Sequence, residues 1–320
     1  MMTRMGFRPN ENYCDGLHVV YLGGKRLAFT HSAGRLADGF PGDVGVAHPE
    51  GGLSVGGLTI EMIEPFKRWA VTYEGECEDT PDGGVLLQRK KERPDGWMAP
   101  TPMVMRVEFD ATADAFYTAD DGNHGHFEQV GNVTGTVTVG DETWDIDARG
   151  VRDKSWGARQ WSGSGSVRAT DPKKEKTPEQ LQAEAEAAAA KPLPHIHWFS
   201  VTFGDQAALN ASCGKGPNGE MAGSGWLQIG DQTQWLKDVV VTSEYEEPDD
   251  SLSYDNELLH TTMRLTGVAD DGTPVDVVGT VSTICPTKVA MKGGATFINE
   301  GRKHSYRPIN THDDFPIAFR

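Results

Sequence analysis

Apolar and polar residues alternate in short runs along much of the chain, which is the period of half-buried β-strands and not of helices. His18 to Leu22, Arg26 to His31, Gly57 to Ile63, Phe66 to Glu74 and Met103 to Phe109 read as strands. Glycine pairs such as Gly23-Gly24 and Gly51-Gly52 supply the turns between them. In the fourth run, Phe66, Arg68, Ala70 and Thr72 share one face, and Lys67, Trp69, Val71 and Tyr73 the other. Trp69 and Tyr73 therefore read as core aromatics or as one wall of a ligand cavity. Val133 to Val139 and Thr143 to Ile146, joined by Gly140-Asp141, read as a β-hairpin. Met1 to Asn12 lacks periodicity and reads as an arm, and the Asp-rich Asp110 to Asn123 as a loop.

A second set of alternating runs follows: His195 to Phe203, Gln206 to Cys213, Gly225 to Ile229, Gln234 to Thr242, Leu258 to Thr266 and Val275 to Ile284. Gly293 to Arg320 reads as irregular. Between the two sets lies the one helical stretch, Thr177 to Lys191, where Thr177 is placed to cap, Pro178 suits the first turn and Gln180 the capping box. It has almost no large apolar face, so it reads as a linker or as a lid over a site. The resulting expectation is an all-β protein of two antiparallel barrel domains, residues 1–165 and 195–320, joined by a helical insertion at 166–194. A weak internal echo, Val133-Thr134-Gly135 against Leu265-Thr266-Gly267, fits duplication.

The 320 residues carry a formal net charge of −17. This argues against a tracker of nucleic-acid phosphates or a binder of anionic membranes, because both need clustered Lys and Arg. No apolar run approaches the length of a membrane span. Cys14, Cys77, Cys213 and Cys285 are scattered singly, and no signal-peptide core is evident, so the reading is a cytoplasmic protein with free thiols. No phosphate-binding glycine loop, dinucleotide fingerprint, nucleophile elbow or zinc-protease helix occurs, and no cofactor is expected.

The hairpin runs into Arg152-Asp153-Lys154-Ser155-Trp156-Gly157 and then Arg159 and Trp161, a charged stretch unlike a simple half-buried strand. On an extended backbone Arg152, Lys154 and Trp156 share one side, and Asp153 and Ser155 the other. Buried charges persist when paired or hydrogen-bonded, so this segment either forms an internal ion-pair network or lines a solvated site. Two histidine pairs add chemistry: His124-Gly125-His126 followed by Glu128, and His195-Ile196-His197. His124, His126 and Glu128 offer a facial two-histidine, one-carboxylate set for a divalent ion.

The run from Gly125 to Arg159, with Arg152-Asp153-Lys154-Ser155-Trp156-Gly157 near its end, resembles the hydroxyneurosporene synthase (carotenoid 1,2-hydratase)-like and AttH-like proteins. Weaker likeness extends over Glu64 to Gly75. The resemblance implies lipocalin-like barrels and a reaction class that is only loosely fixed, since family members are diverse. Lys154 stands where the family usually has His, so no titrating imidazole carries over to that position. The preferred reading is a cofactor-independent lyase or hydratase acting on a hydrophobic small molecule, isoprenoid or phenolic aromatic. It would add or remove water, or cleave a bond beside a hydroxyl. Lys154, Asp153 and Glu128 are the expected acid/base groups. His126, Arg152, Trp156, Arg159, Trp161, His197, Trp69 and Tyr73 are the expected substrate contacts, gathered at an interdomain mouth. A hydrophobic carrier and a metal-dependent enzyme using His124, His126 and Glu128 are the alternatives, and a homodimer fits either.

Overall fold

The computed structural model describes residues 1–8, 13–34, 53–87, 92–122, 124–157, 177, 196–204, 206–215, 220–245, 260–280, 285–290 and 314–319. Within these residues the chain is β throughout, apart from a short 3₁₀ turn at Gly83–Leu87. The expected helix from Thr177 to Lys191, and Arg159 and Trp161, lie outside the described residues, Thr177 itself excepted.

The first sheet has ten strands. They are β1 (Met2–Arg8), β2 (Tyr13–Gly23), β3 (Arg26–Gly34), β4 (Leu53–Val55), β5 (Leu58–Glu64), β6 (Arg68–Thr80), β7 (Ala99–Ala111), β8 (Phe116–Asp120), β9 (Gly125–Val139) and β10 (Glu142–Trp156). The hydrogen-bonded path runs β1-β2-β3-β6-β7-β9-β10, with β5 also on β6, β4 on β5 and β8 on β9. All pairs are antiparallel.

The second sheet has six strands in simple sequence order: β11 (Ile196–Phe203), β12 (Ala207–Lys215), β13 (Met221–Ile229), β14 (Gln232–Tyr245), β15 (His260–Ala269) and β16 (Pro274–Thr280). A separate ribbon pairs β17 (Cys285–Ala290) with β18 (Asp314–Phe319). Two curled antiparallel sheets are what the two sets of alternating runs predict.

The alternation also fixes what each face buries. Trp69, Val71 and Tyr73 on β6 pair with Phe109, Val107 and Met105 on β7, which pair in turn with Val133, Gly135 and Val137 on β9. This inner face holds the core of Val20, Ala28, Leu58, Tyr73, Met103, Met105, Val107, Val137 and Val139. At about 1.5–3 kcal/mol for each large apolar side chain removed from water, such a set dominates the stability of the sheet. Cys77 belongs to the same core as a free thiol that donates to the Thr101 carbonyl. Cys213 is likewise free, and burial pushes its thiol up to about 11.

The β9–β10 hairpin closes through Gly140-Asp141, with Glu142 facing Val139 and Gly140 at φ +60°. A positive φ at the first central residue alone is the type II′ pattern, which matches the twist of the strands it joins. Gly230-Asp231 repeats the arrangement between β13 and β14, with Gly230 at φ +59°.

Five expectations need correcting. Met2–Arg8 is a strand on β2 and not an arm, because an edge position needs only one buried face and Val19 and Leu17 supply the partner row. Phe116–Asp120 is a strand within the expected acidic loop, and Asp314–Phe319 is one within the expected irregular tail. Phe66 is not in a strand: it occupies a turn after Pro65 at φ 59°, an uncommon conformation for a bulky residue, and β6 begins at Arg68. Finally, the charged run that looked unlike a scaffold continues β10 unbroken through Trp156.

Candidate functional site

Strands β8, β9 and β10 carry the chemistry, and their register divides it between two faces. Arg152 faces Gln129, Lys154 faces Phe127 and Trp156 faces Gly125 on one side. Asp153 faces Glu128 and Ser155 faces His126 on the other. Cross-strand partners point the same way, so the residues expected to bound one site form two separate groups.

The first group lies on the inner face of the first sheet. The Arg152 guanidinium sits 4.1 Å from the centre of the Trp69 ring and 4.8 Å from that of Phe127. One of its nitrogens donates to Gln129 Oε1 at 3.4 Å. Gln129 is itself held by donating to the carbonyls of Phe66 (2.7 Å) and Ala113 (3.0 Å). Phe127 anchors a ring cluster with Phe66, Tyr117 and Trp156. Gly125 is needed there, because a Cβ at this position would overlap the Trp156 indole.

Among the described residues neither Arg152 nor Lys154 has a carboxylate partner. Burial lowers Arg152 to about 10. Lys154 is also lowered, first by desolvation and then by the neighbouring Arg152 charge. Its side chain still reaches solvent, which limits that shift. The Trp69 indole nitrogen is buried and has no hydrogen-bond partner among the described residues. Tyr73 belongs to the core instead: it is 1% exposed, and its hydroxyl donates to the Glu76 carbonyl.

The second group lies on the opposite face, where the first sheet meets the second. Val130 packs with Ala208 and Trp226, joined by Phe116 and Val151. Phe116 also meets the Trp235 ring edge-on. Glu128, 3% exposed, is gripped there by two indoles of the second sheet: Trp226 Nε1 donates to one carboxylate oxygen and Trp198 Nε1 to the other at 3.3 Å. Burial raises the Glu128 pKa, opposed by the Trp226 hydrogen bond and the His126 charge. His126 Nε2 lies 3.2 Å from Asp153 Oδ1 and 3.9 Å from Glu128 Oε1.

A bulge in β8 places two residues, Thr118 and Ala119, against His126. It brings the Thr118 hydroxyl 2.6 Å from His126 Nδ1. His126, Glu128 and Asp153 thus form the group of donors able to hold a metal among the described residues. His124 is not part of it: it precedes β9, is exposed, and contacts Asp121 in the turn.

His197 and Trp198 also fall on opposite faces. His197 is buried on the inner side of the second sheet, opposite Cys213 and beside Phe199, while Trp198 reaches Glu128. Sequence reasoning chose the histidine for its chemistry, and the strand parity that selects Trp198 was readable in the same run. Trp226 and Thr118 were missed. Only the alternation around Trp226 and the Asx- and Thr-containing loop before β9 hinted at them.

No curated protein and no solved structure matches the chain. Residues 1–304 match one family across both sheets, and the chain belongs to it: the family described as Domain of unknown function (DUF7064).

Proposed function

We propose that the inner face of the first sheet binds a hydrophobic small molecule, an isoprenoid or a phenolic aromatic, and that the protein acts on it as a lyase or hydratase. The observation that carries this reading is the Arg152, Lys154 and Trp69 group. The Arg152 guanidinium and a buried Trp69 N–H gather among aromatic rings, with the more exposed Lys154 beside Arg152 and no acidic partner among the described residues. A buried donor left unpaired is costly, and a ligand oxygen would satisfy the Trp69 N–H and complement the two cations. Resemblance to the hydroxyneurosporene synthase-like proteins supports the same reaction class.

In this reading Lys154 transfers the proton. For hydration, a proton passes to one alkene carbon, water adds to the other, and the proton lost by that water restores the lysine. Dehydration is the same path reversed. Arg152 remains a cation and holds a polar oxygen of the substrate by hydrogen bonds, while Trp69, Phe127 and Trp156 hold the apolar body and face the positive charge that develops on carbon. Asp153 and Glu128 point to the other face of the same hairpin, so the proposed chemistry does not use them directly.

Mass spectrometry of molecules that co-purify with the protein would name the ligand class. With that compound, Lys154→Met should bind but turn over at least about a hundredfold more slowly, the usual scale for losing a general acid or base. Full turnover by Lys154→Met would refute the assignment, and a wild-type protein that binds without converting would be a carrier.

A further inference from the structure

We propose that His126, Glu128 and Asp153 bind one divalent transition-metal ion at the seam between the two sheets. The site lies on the opposite face of β9 and β10 from Lys154, so it stands independently of the lyase reading.

Three observations converge. The first is placement. His126 and Glu128 alternate on β9, and Asp153 lies directly across from Glu128 on β10, so all three project from one patch of sheet. One donor atom from each lies within 4.8 Å of the others. Ligand atoms about 2.1 Å from a shared ion sit roughly 3.0 to 3.5 Å apart in octahedral or tetrahedral arrangements. The His126 to Asp153 separation of 3.2 Å already meets that spacing, the 3.9 Å to Glu128 needs a contraction of a few tenths of an ångström, and the two carboxylates, within 4.8 Å of each other, must draw closer through the exposed Asp153 side chain.

The second is the support of the His126 ring. The Thr118 hydroxyl lies 2.6 Å from Nδ1 and 3.3 Å from the His126 carbonyl, and holds the imidazole with Nε2 turned toward Asp153 and Glu128. With hydrogen on Nδ1 the Nε2 lone pair is the metal-binding form; with hydrogen on Nε2 the ring donates to Asp153 instead. A hydrogen bond that fixes the other ring nitrogen is the usual support of a metal-binding histidine.

The third is the support of Glu128. Two indole N–H groups fix the carboxylate from the second sheet. They use part of its acceptor capacity and leave Oε1 directed toward His126. The exposure gradient gives an entry path, from Glu128 at 3% through His126 at 26% to Asp153 at 48%. The net charge of −17 favours cations at such a mouth. One imidazole and two carboxylates, with no thiolate, suit Mn²⁺, Fe²⁺ or Zn²⁺.

Tag-free, chelator-treated protein titrated calorimetrically with Zn²⁺ and Mn²⁺ tests this. One equivalent should bind. His126→Gln and Asp153→Asn should each weaken it at least a hundredfold, and Thr118→Val, which removes only the support, about tenfold. Glu128→Gln disturbs the seam itself, so the partly exposed His126 and Asp153 carry the decision, with their far-UV spectra confirming the fold. A wild-type protein that takes up no equivalent overturns the proposal. So do folded His126→Gln and Asp153→Asn variants that bind as wild type does, and an Nε2 that only donates a hydrogen to Asp153 predicts the first of these results.

Discussion

The inner faces of the two sheets solve one packing problem in different ways. In the second sheet, Leu209, Ala211, Cys213, Leu227, Leu236, Val239, Val241, Met263 and Leu265 form an apolar cluster, with His197 beside it on β11. In the first, an equally apolar cluster fills one end, but the same face also holds His18, Gln129, Arg152 and Lys154. Polar groups there cost stability, and they gather near aromatic rings instead of spreading evenly. A face that only needed to close would be built like the second. In the proposed reading the chemistry belongs to the first sheet and the second supports it, reaching across the seam with Trp198 and Trp226.

The largest effect that follows is in the second sheet. Leu236 is fully buried in its cluster, so Leu236→Ala should destabilise by about 2–5 kcal/mol, the range for a buried leucine that leaves a cavity. Urea unfolding measures this. If the second sheet only supports, the folded variant should still bind and convert the ligand of the first; a specific loss of that activity at full folding would break the comparison.

The strands of both sheets were legible because alternation is a local signal, and most expected runs reappear with ends moved by a few residues. The edge and lone strands were not. Met2–Arg8 and Phe116–Asp120 owe their form to a neighbour's unpaired backbone and not to their own pattern. The candidate site was half legible. Arg152, Lys154 and Trp156 were read on one face and Asp153 on the other, which the register bears out. What alternation within one strand does not contain is which sheet lies over each face. Grouping Lys154 with Glu128 and His197 ignored that parity, and Trp198 and Trp226 became visible only once the second sheet stood against β9.

A second, smaller effect separates the faces by pH. His18 is fully buried on the inner face of the first sheet, and its Nε2 has no hydrogen-bond partner among the described residues. Its other ring nitrogen meets the Thr3 hydroxyl at 2.6 Å, and its ring stacks at 6.3 Å from Tyr73. Desolvation lowers it from 6.5 to about 3. It is therefore neutral in the folded protein, whereas the unfolded chain takes up its proton as pH falls through 6.5. Between roughly pH 6.5 and 3 the unfolded state binds more protons, so stability falls with pH, by on the order of 1.4 kcal/mol per unit at most, and levels off below. His18→Gln removes the titrating group. Its unfolding free energy should decline less steeply than wild type between pH 6.5 and 4.5, and an unchanged slope would show that His18 is not the source.

The smallest effect asks whether Lys154 is an uncompensated cation. On the first sheet Lys154 has no acidic partner among the described residues and sits beside Arg152. On the second, Lys237 pairs with Asp270 on an exposed surface. Methionine keeps much of the length of lysine without its charge. Lys154→Met should then stabilise by on the order of a few tenths of a kcal/mol, a figure kept small because the side chain reaches solvent and water screens its charge. Lys237→Met loses an ion pair and should be neutral or slightly destabilising. Opposite signs in urea midpoints at pH 7, alongside lost turnover in the first variant alone, are what a residue retained for function at a cost to stability produces. A destabilised Lys154→Met would mean that the lysine holds the fold together through a carboxylate, and the inner face of the first sheet would then differ from the second in its packing alone.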